Sequence, residues 1–242
     1  MSDTERLICG LQPVREAIAA HGTKLRVLLE ENDAPKLAAV ARFAKDRGAD
    51  VSRVRRVELD RIARGVRHQG AVAFAPLLVL RPLAELELGA PAMVVVLDSI
   101  EDPQNFGAVI RSAVAFGASA VVWPQHGAAP LTPATFRASA GAIEHAQLCS
   151  VPSLPVALEH LRARGLRIIG LDAHADVIID QERLAEPIAL VLGAEGVGLH
   201  KSVRKSCDAL VRLPMRGPLA SLNVSAAAAI ALYEAHQQRT VR

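Results

Sequence analysis

A chain of 242 residues that is 51% apolar, with 28 Lys/Arg against 25 Asp/Glu, has room for one large or two small domains with complete cores. That composition argues against disorder, and no apolar run reaches the roughly eighteen residues of a membrane-spanning helix. The charged start, Met1 to Arg6, precedes no signal-peptide core, so a cytoplasmic protein is expected. Cys9, Cys149 and Cys207 lie far apart without CxxC spacing and read as buried thiols, neither a disulfide framework nor a zinc site.

In chain order, Leu11 to His21 reads as a helix, with Pro13 near its start and Gly22 after its end. Leu25 to Leu29 is a short apolar strand. Ala34 to Arg47 places Leu37, Val40, Ala41 and Ala44 at the spacing of a helix buried on one face. Val51 to Val54 reads as a strand, Glu58 to Arg64 as a helix and Ala71 to Ala75 as a strand. Together residues 1–76 are a small α/β domain. They carry 14 Lys/Arg against 10 Asp/Glu, whereas residues 77–242 carry 14 against 15, so the positive excess sits at the front. Arg53, Arg55, Arg56, Arg61, Arg64 and Arg67 crowd into one short stretch. Arginine pairs its planar fork with phosphate, so the cluster points to a nucleic-acid backbone, although a solvated helix face has the same look. His68 fits an RNA contact or a turn residue before Gln69-Gly70 equally well.

Residues 77–91 interrupt the rhythm with prolines and read as a linker, apolar enough for part of it to pack on a domain. From Ala92 the alternation resumes. Met93 to Leu97 is a β-branched run of the kind found in a parallel strand covered on both faces. Further strands are expected at Ala120–Trp123, Ala146–Val151, Leu166–Leu171, Ile188–Leu192 and Ala209–Leu213. Helices are expected at Gly107–Phe116, Leu154–Arg164, Lys201–Lys205 and Ser221–Arg239. This is a parallel sheet with helices on both faces, whose ligands sit at the carboxyl ends of the strands.

Three strand ends carry polar, glycine-containing loops: Asp98 to Gly107, Gly193 to Leu199, and Leu213 to Ser225. The middle loop orders its glycines GxxGxG and contains an acid, so it is not the dinucleotide fingerprint. Its glycines suggest backbone lying close to an uncharged or cationic ligand portion. The third loop offers Ser221, Asn223 and Ser225 at a helix start, more capping residues than one helix needs. Asp172-Ala173-His174-Ala175-Asp176 lacks further clustered ligands and reads as a loop; no metal is expected.

These three stretches, DSIEDPQNFGAVIR from Asp98 to Arg111, LVLGAEGVGL from Leu190 to Leu199 and LPMRGPLASLNVSAAAAIALYE from Leu213 to Glu234, resemble the signature motifs of the SpoU/TrmH-type methyltransferases of the SPOUT class. Cys9 to Ala17 and Arg67 to Ala73 resemble the ends of the small RNA-binding domain, similar to a ribosomal protein, found in the branch acting on guanosine of 23S ribosomal RNA. The resemblance covers essentially the whole chain. It departs at Phe106, where leucine is common, and at Ala226 to Ala229, where the family often has Val-Ala.

The resemblance implies a C-terminal parallel-sheet SPOUT domain with a deep trefoil knot over 92–242, joined to an N-terminal α/β RNA-binding domain over 1–76. It implies S-adenosylmethionine as cofactor, held by Gly193, Ala194, Glu195, Leu213, Met215 and Leu222. Asn105, Arg111, Glu195, Ser221 and Asn223 match the family's active-site positions. Arg111 is commonly given the activation of the hydroxyl, but a guanidinium is a poor base at neutral pH. RNA phosphate binding by Arg111 and a base role for Glu195 stand beside that assignment. Arg53, Arg55, Arg56, Arg64, Arg67 and His68 are the expected RNA contacts. Asn105 could instead cap the helix starting near Gly107.

The expected activity is methyl transfer to a ribose 2′-hydroxyl of a guanosine in large-subunit ribosomal RNA by a cytoplasmic homodimer. Methylation of transfer RNA and a catalytically silent RNA-binding protein for ribosome assembly are the alternatives. A nucleotide-dependent oxidoreductase is a third, and it would bind a dinucleotide.

Overall fold

The computed structural model describes residues 5–217 and 221–240; Met1 to Thr4 of the charged start, Pro218 to Ala220 of the third loop and the last two residues lie outside the described residues. Contacts divide the chain into two units: residues 5–79 with 131–145, and 80–130 with the described part of 146–240.

The first unit runs β1 (Glu5–Cys9), α1 (Leu11–His21), β2 (Arg26–Glu30), α2 (Pro35–Asp46), β3 (Asp50–Val54), α3 (Arg56–Ala63) and β4 (Ala71–Pro76). Its sheet has the order β1-β4-β2-β3, with β4 antiparallel to both neighbours and β2 parallel to β3. Strand periodicity splits its core in two. Val27 and Leu29 pack with Val14 and Ile18 of α1 and Leu37 and Val40 of α2, while Leu28 packs with Leu59 and Ala63 of α3. The i, i+3, i+4 spacing of Val14, Ala17 and Ile18 puts all three on the buried side of α1.

The second unit runs β5 (Met93–Asp98), α4 (Pro103–Ala115), β6 (Ala120–Pro124), then leaves for α5 (Pro133–Ala138) in the first unit. It returns with β7 (Leu148–Val151), α6 (Leu154–Ala163), β8 (Arg167–Leu171), β9 (Val177–Ile178), β10 (Ile188–Gly193), α7 (Lys201–Lys205), β11 (Ala209–Arg212) and α8 (Val224–Thr240). Its seven strands, in the order β7-β6-β5-β10-β8-β11-β9, pair in parallel throughout. Every residue of β5 is buried, as its unbroken apolar run requires. The stretch read as a linker is not a free tether: Leu86 is 2% exposed and belongs to this unit's core. Arg239 pins the end of α8 by donating to the carbonyls of Leu184 (2.9 Å), Pro91 (2.9 Å), Ala92 (3.0 Å) and Glu186 (2.8 Å).

Two helix starts differ from expectation. α4 begins at Pro103, not Gly107, because the Asp102 carboxylate accepts from the N–H groups of Gln104 (3.2 Å) and Asn105 (3.1 Å). Asn105 therefore lies inside the helix, and its side chain is not spent on capping. α8 begins at Val224, not Ser221, with Asn223 as its cap: Asn223 Oδ1 accepts from the Ser225 N–H at 2.9 Å and the Ser225 hydroxyl at 2.6 Å.

Residues 131–145 build a buried ionic cluster in the first unit. Glu144 Oε1 accepts from Arg6 Nη1 at 2.7 Å, Oε2 accepts from Arg6 Nη2, and His21 Nε2 donates to Oε2 at 2.8 Å. The Glu144 and Arg6 side chains are only 1% and 7% exposed. Arg6 also donates to the Pro76 carbonyl (2.8 Å) and lies 5.0 Å from the centroid of the Phe136 ring. Burial alone would push the Glu144 carboxyl up, but the His21 and Arg6 hydrogen bonds and charges outweigh it and hold the group below its usual range.

Candidate active site

The carboxyl ends of β5, β10 and β11 carry the three loops. β5 and β10 end in register, with Asp98 opposite Gly193. The loop after β10 folds back on itself: the Gly198 N–H donates to the Ala194 carbonyl at 2.8 Å. Gly196 and Gly198 adopt φ of 78° and 71°, a left-handed conformation natural to glycine. A Cβ on Gly193 would stand 2.2 Å from the Gly198 carbonyl carbon, so no side chain fits there.

That loop, the end of β8 and the third loop enclose a cavity of about 520 Å³. Gly193, Ala194, Glu195, Leu213, Met215, Ser221 and Leu222 all line it, together with Asp172, His174 and Arg204. Asn223 ties the loops together. Its Nδ2 donates to Asn105 Oδ1 at 3.0 Å and to Glu195 Oε2 at 3.2 Å, joining one residue from each motif. Arg111 does not join this cluster. It is exposed, its side chain makes no hydrogen bond or ion pair among the described residues, and it sits six positions beyond Asn105 on α4. That spacing amounts to about 9 Å along the helix axis and about two-thirds of a turn around it.

Asp98 and His200 hold the middle loop at both ends. Asp98 is 3% exposed; its Oδ2 accepts from the His200 N–H at 2.7 Å, and Oδ1 lies 3.0 Å from His200 Nδ1. A loop that leaves beside Asp98 thus returns to the same carboxylate. Sequence reading passed this over, although an acid ending a fully apolar strand is a buried charge in search of a partner.

Of the expected RNA contacts, Arg53, Arg55, Arg56, Arg64 and Arg67 are exposed on the first unit. Arg53 is committed in part to the backbone, donating to the carbonyls of Glu30 (2.8 Å) and Asn32 (3.3 Å), and Arg56 lies 3.6 Å from Glu30. His68 requires a correction. Its ring is 4% exposed, with Nδ1 accepting from the Gly70 N–H (3.1 Å) and Nε2 facing Asp60 at 2.8 Å. It shapes the turn from within, its ring forming part of the wall of a cleft. Among the described residues no group of three or more His, Cys, Asp or Glu side chains could hold a metal. Burial raises the Cys9 and Cys149 thiols to about 11 and Cys207 to about 12, the state of inert, protonated cysteines.

A parallel α/β sheet, a small-molecule cavity at its strand ends and a polar cluster beside it are the features of a ligand-binding α/β enzyme site. Residues 92–233 match the SpoU rRNA methylase family, and residues 7–78 match the RNA 2′-O ribose methyltransferase substrate-binding domain. The chain belongs to the SpoU family of RNA methyltransferases. It is 40% identical over 245 residues to an uncharacterized tRNA/rRNA methyltransferase of Mycolicibacterium vanbaalenii, covering 98% of this chain and 78% of that one. Among solved structures it is similar to the SpoU methyltransferase AviRb from Streptomyces viridochromogenes in complex with AdoMet. That likeness has a TM-score of 0.81 and 25% identity, and covers 99% of this chain and 92% of that one. It is also similar to an AdoMet-bound rRNA methyltransferase from Sinorhizobium meliloti, with a TM-score of 0.79 and 26% identity over 97% and 87% of the two chains.

The protein is an S-adenosylmethionine-dependent RNA methyltransferase, and the cavity fits that cofactor. Its volume lies within the roughly 300–1,000 Å³ of small-molecule sites. The Met215 and Leu222 side chains, 37% and 36% exposed, offer apolar cover for a flat base. Among the described residues the N–H groups of Met215 and Leu222 make no backbone hydrogen bond, so they remain available to one. Gly193→Ala is expected to abolish this fit, because its Cβ meets backbone that cannot yield. Isothermal titration should find S-adenosylmethionine affinity at least about 100-fold weaker, which corresponds to about 2.7 kcal/mol.

Proposed function

We propose that the protein methylates the ribose 2′-hydroxyl of a guanosine in 23S ribosomal RNA, acting as a cytoplasmic homodimer. The observation that supports the methyl transfer is the Asn105–Asn223–Glu195 cluster beside the cofactor cavity, while the choice of a 23S guanosine rests on the resemblance of Cys9 to Ala17 and Arg67 to Ala73 to that branch. When bound, S-adenosylmethionine supplies a methyl group on a sulfonium. Glu195 receives the proton of the 2′-hydroxyl at Oε1, while the Asn223 amide keeps Oε2 occupied and fixes the carboxylate's orientation. Asn105 accepts from Asn223 through Oδ1, which leaves its amide N–H groups to orient the ribose. Ser221 closes the cavity beside Leu222. Arg111 binds the phosphate next to the reacting ribose and steadies the developing alkoxide.

The separation of Arg111 from the cluster within one copy supports a site completed by two copies. α4 packs against α8, and Ile230 and Tyr233 of α8 are 47% and 50% exposed, an apolar surface suited to a second copy. The backbone of the second and third motifs is proposed to thread the family's deep trefoil knot. RNA is gripped by the first unit, with Arg55, Arg64 and Arg67, which make no ion pair among the described residues, beside the tethered Arg53 and Arg56.

The test is methylation of 23S ribosomal RNA transcripts and of a transfer RNA pool by the purified protein, with the product mapped by resistance of the 2′-O-methylated linkage to alkaline cleavage. One modified guanosine in 23S RNA is the expected result. Modification of transfer RNA alone would move the substrate to the alternative reading, and no transfer to either would leave an RNA-binding protein without this activity.

A further inference from the structure

The first unit carries a groove of about 450 Å³ between α1 and α2, lined by Gln12, Arg15, Lys36, Arg42, Phe43 and Asp46. The guanidinium carbons of Arg15 and Arg47 lie 5.3 and 4.9 Å from the centroid of one ring, Phe43. Two cations on a single ring repel, and none of Arg15, Lys36, Arg42 or Arg47 has an ion-pair partner among the described residues. Glu16, the acid on α1, is engaged by Gln12 Nε2 at 2.6 Å and His145 Nε2 at 2.9 Å. Asp46 alone opposes the three lining cations.

Leu11 and Lys36 also line a neighbouring cleft of about 790 Å³ that reaches Arg56, Arg67 and Gln69. The two depressions therefore share a wall. Their chemistry differs. The larger cleft mixes donors and acceptors and contains its own pairs, Arg56 with Glu30 at 3.6 Å and His68 with Asp60 at 2.8 Å. In the groove three cations face a single acid, Asp46, and the Phe43 ring is flanked by the Arg15 and Arg47 guanidinium groups, which leaves it little face for stacking a base.

We propose that the α1–α2 groove binds the ribose-phosphate backbone of RNA, continuing the strand seated near Arg64 and Arg67. Of the lining cations, Arg15 is held by the Phe43 ring, so its planar guanidinium is already oriented for paired hydrogen bonds to phosphate, and the Arg42 and Lys36 charges stand beside it. The groove reads charge, and the adjoining cleft holds the groups able to read bases. This inference rests on the RNA-binding reading of the first unit.

The test compares the full-length protein with the Arg15→Gln/Arg42→Gln double variant, using 23S ribosomal RNA transcript, a transfer RNA pool and polyglutamate as probes. For the RNA that the wild type binds, affinity should fall at least about tenfold, and the slope of log affinity against log salt should shrink by about 1.4, two phosphates' worth of released counterions. S-adenosylmethionine affinity should be unchanged. The Arg15→Lys/Arg42→Lys variant should recover the slope, which repair of a merely structural defect would not predict. Equal affinity and slope in wild type and double variant would overturn the groove alone. Loss of polyglutamate binding with RNA binding intact would overturn it in favour of an acidic protein partner. A wild type that binds neither RNA would overturn the groove together with the RNA reading beneath it.

Discussion

Glu144→Ala is expected to destabilise the first unit by about 3–5 kcal/mol, the range for removing one partner of a buried ion pair. The side chain is 1% exposed and takes both Arg6 nitrogens. Without it Arg6 stays buried, satisfied only by the Pro76 carbonyl and lying beside His21. Chemical denaturation followed by circular dichroism measures the loss. The effect carries a pH signature. Because the folded state holds this carboxyl below its usual range, its contribution is full above the unfolded value and disappears as pH falls through the folded one. The gap between wild type and Glu144→Gln should therefore be widest near neutrality and narrow below about pH 4.5. A gap that is constant across that window would mean the carboxylate's charge contributes nothing.

Arg111→Ala is expected to lower the methylation rate at least about 100-fold while leaving S-adenosylmethionine binding intact, because it removes the cation proposed to steady the alkoxide and Arg111 does not line the cavity. The sharper result concerns where that arginine acts. Coexpressed Arg111→Ala and Glu195→Gln chains, each inactive alone, should regain about one quarter of wild-type activity, since half of randomly paired dimers hold one intact composite site. Inactive mixed dimers would place Arg111 and Glu195 of the same chain in the same site, and normal methylation by Arg111→Ala would remove the arginine from the mechanism.

Periodic segments were legible in the sequence wherever one face had to be buried. Leu11–His21 appears with the expected bounds because Pro13, the Val14–Ile18 spacing and Gly22 agree. The parallel strands β5 and β10 appear because unbroken apolar runs have few other uses. What escaped depended on partners far along the chain. β1 was hidden by charged Glu5 and Arg6, and Arg6 is buried only because Glu144, 138 positions away, neutralises it. Residues 131–145 show no period, and their six-residue helix is too short to announce itself. At the site, three motifs were legible as separate stretches, and their residues do meet through Asn223. The Asp98–His200 clasp spans 102 positions and has no local signature, whereas His68, which read equally as an RNA contact or a turn residue, is buried in its turn.

The excursion of residues 131–145 makes the two family-matched regions inseparable at the bench. A boundary drawn at residue 79 cuts the first unit away from α5 and Glu144, although both fall inside the stretch that matches the methylase. Grafting this RNA-gripping module onto another catalytic half would require carrying a second, discontinuous piece of sequence, and homologous recombination at the linker alone would yield chimeras with an exposed seam.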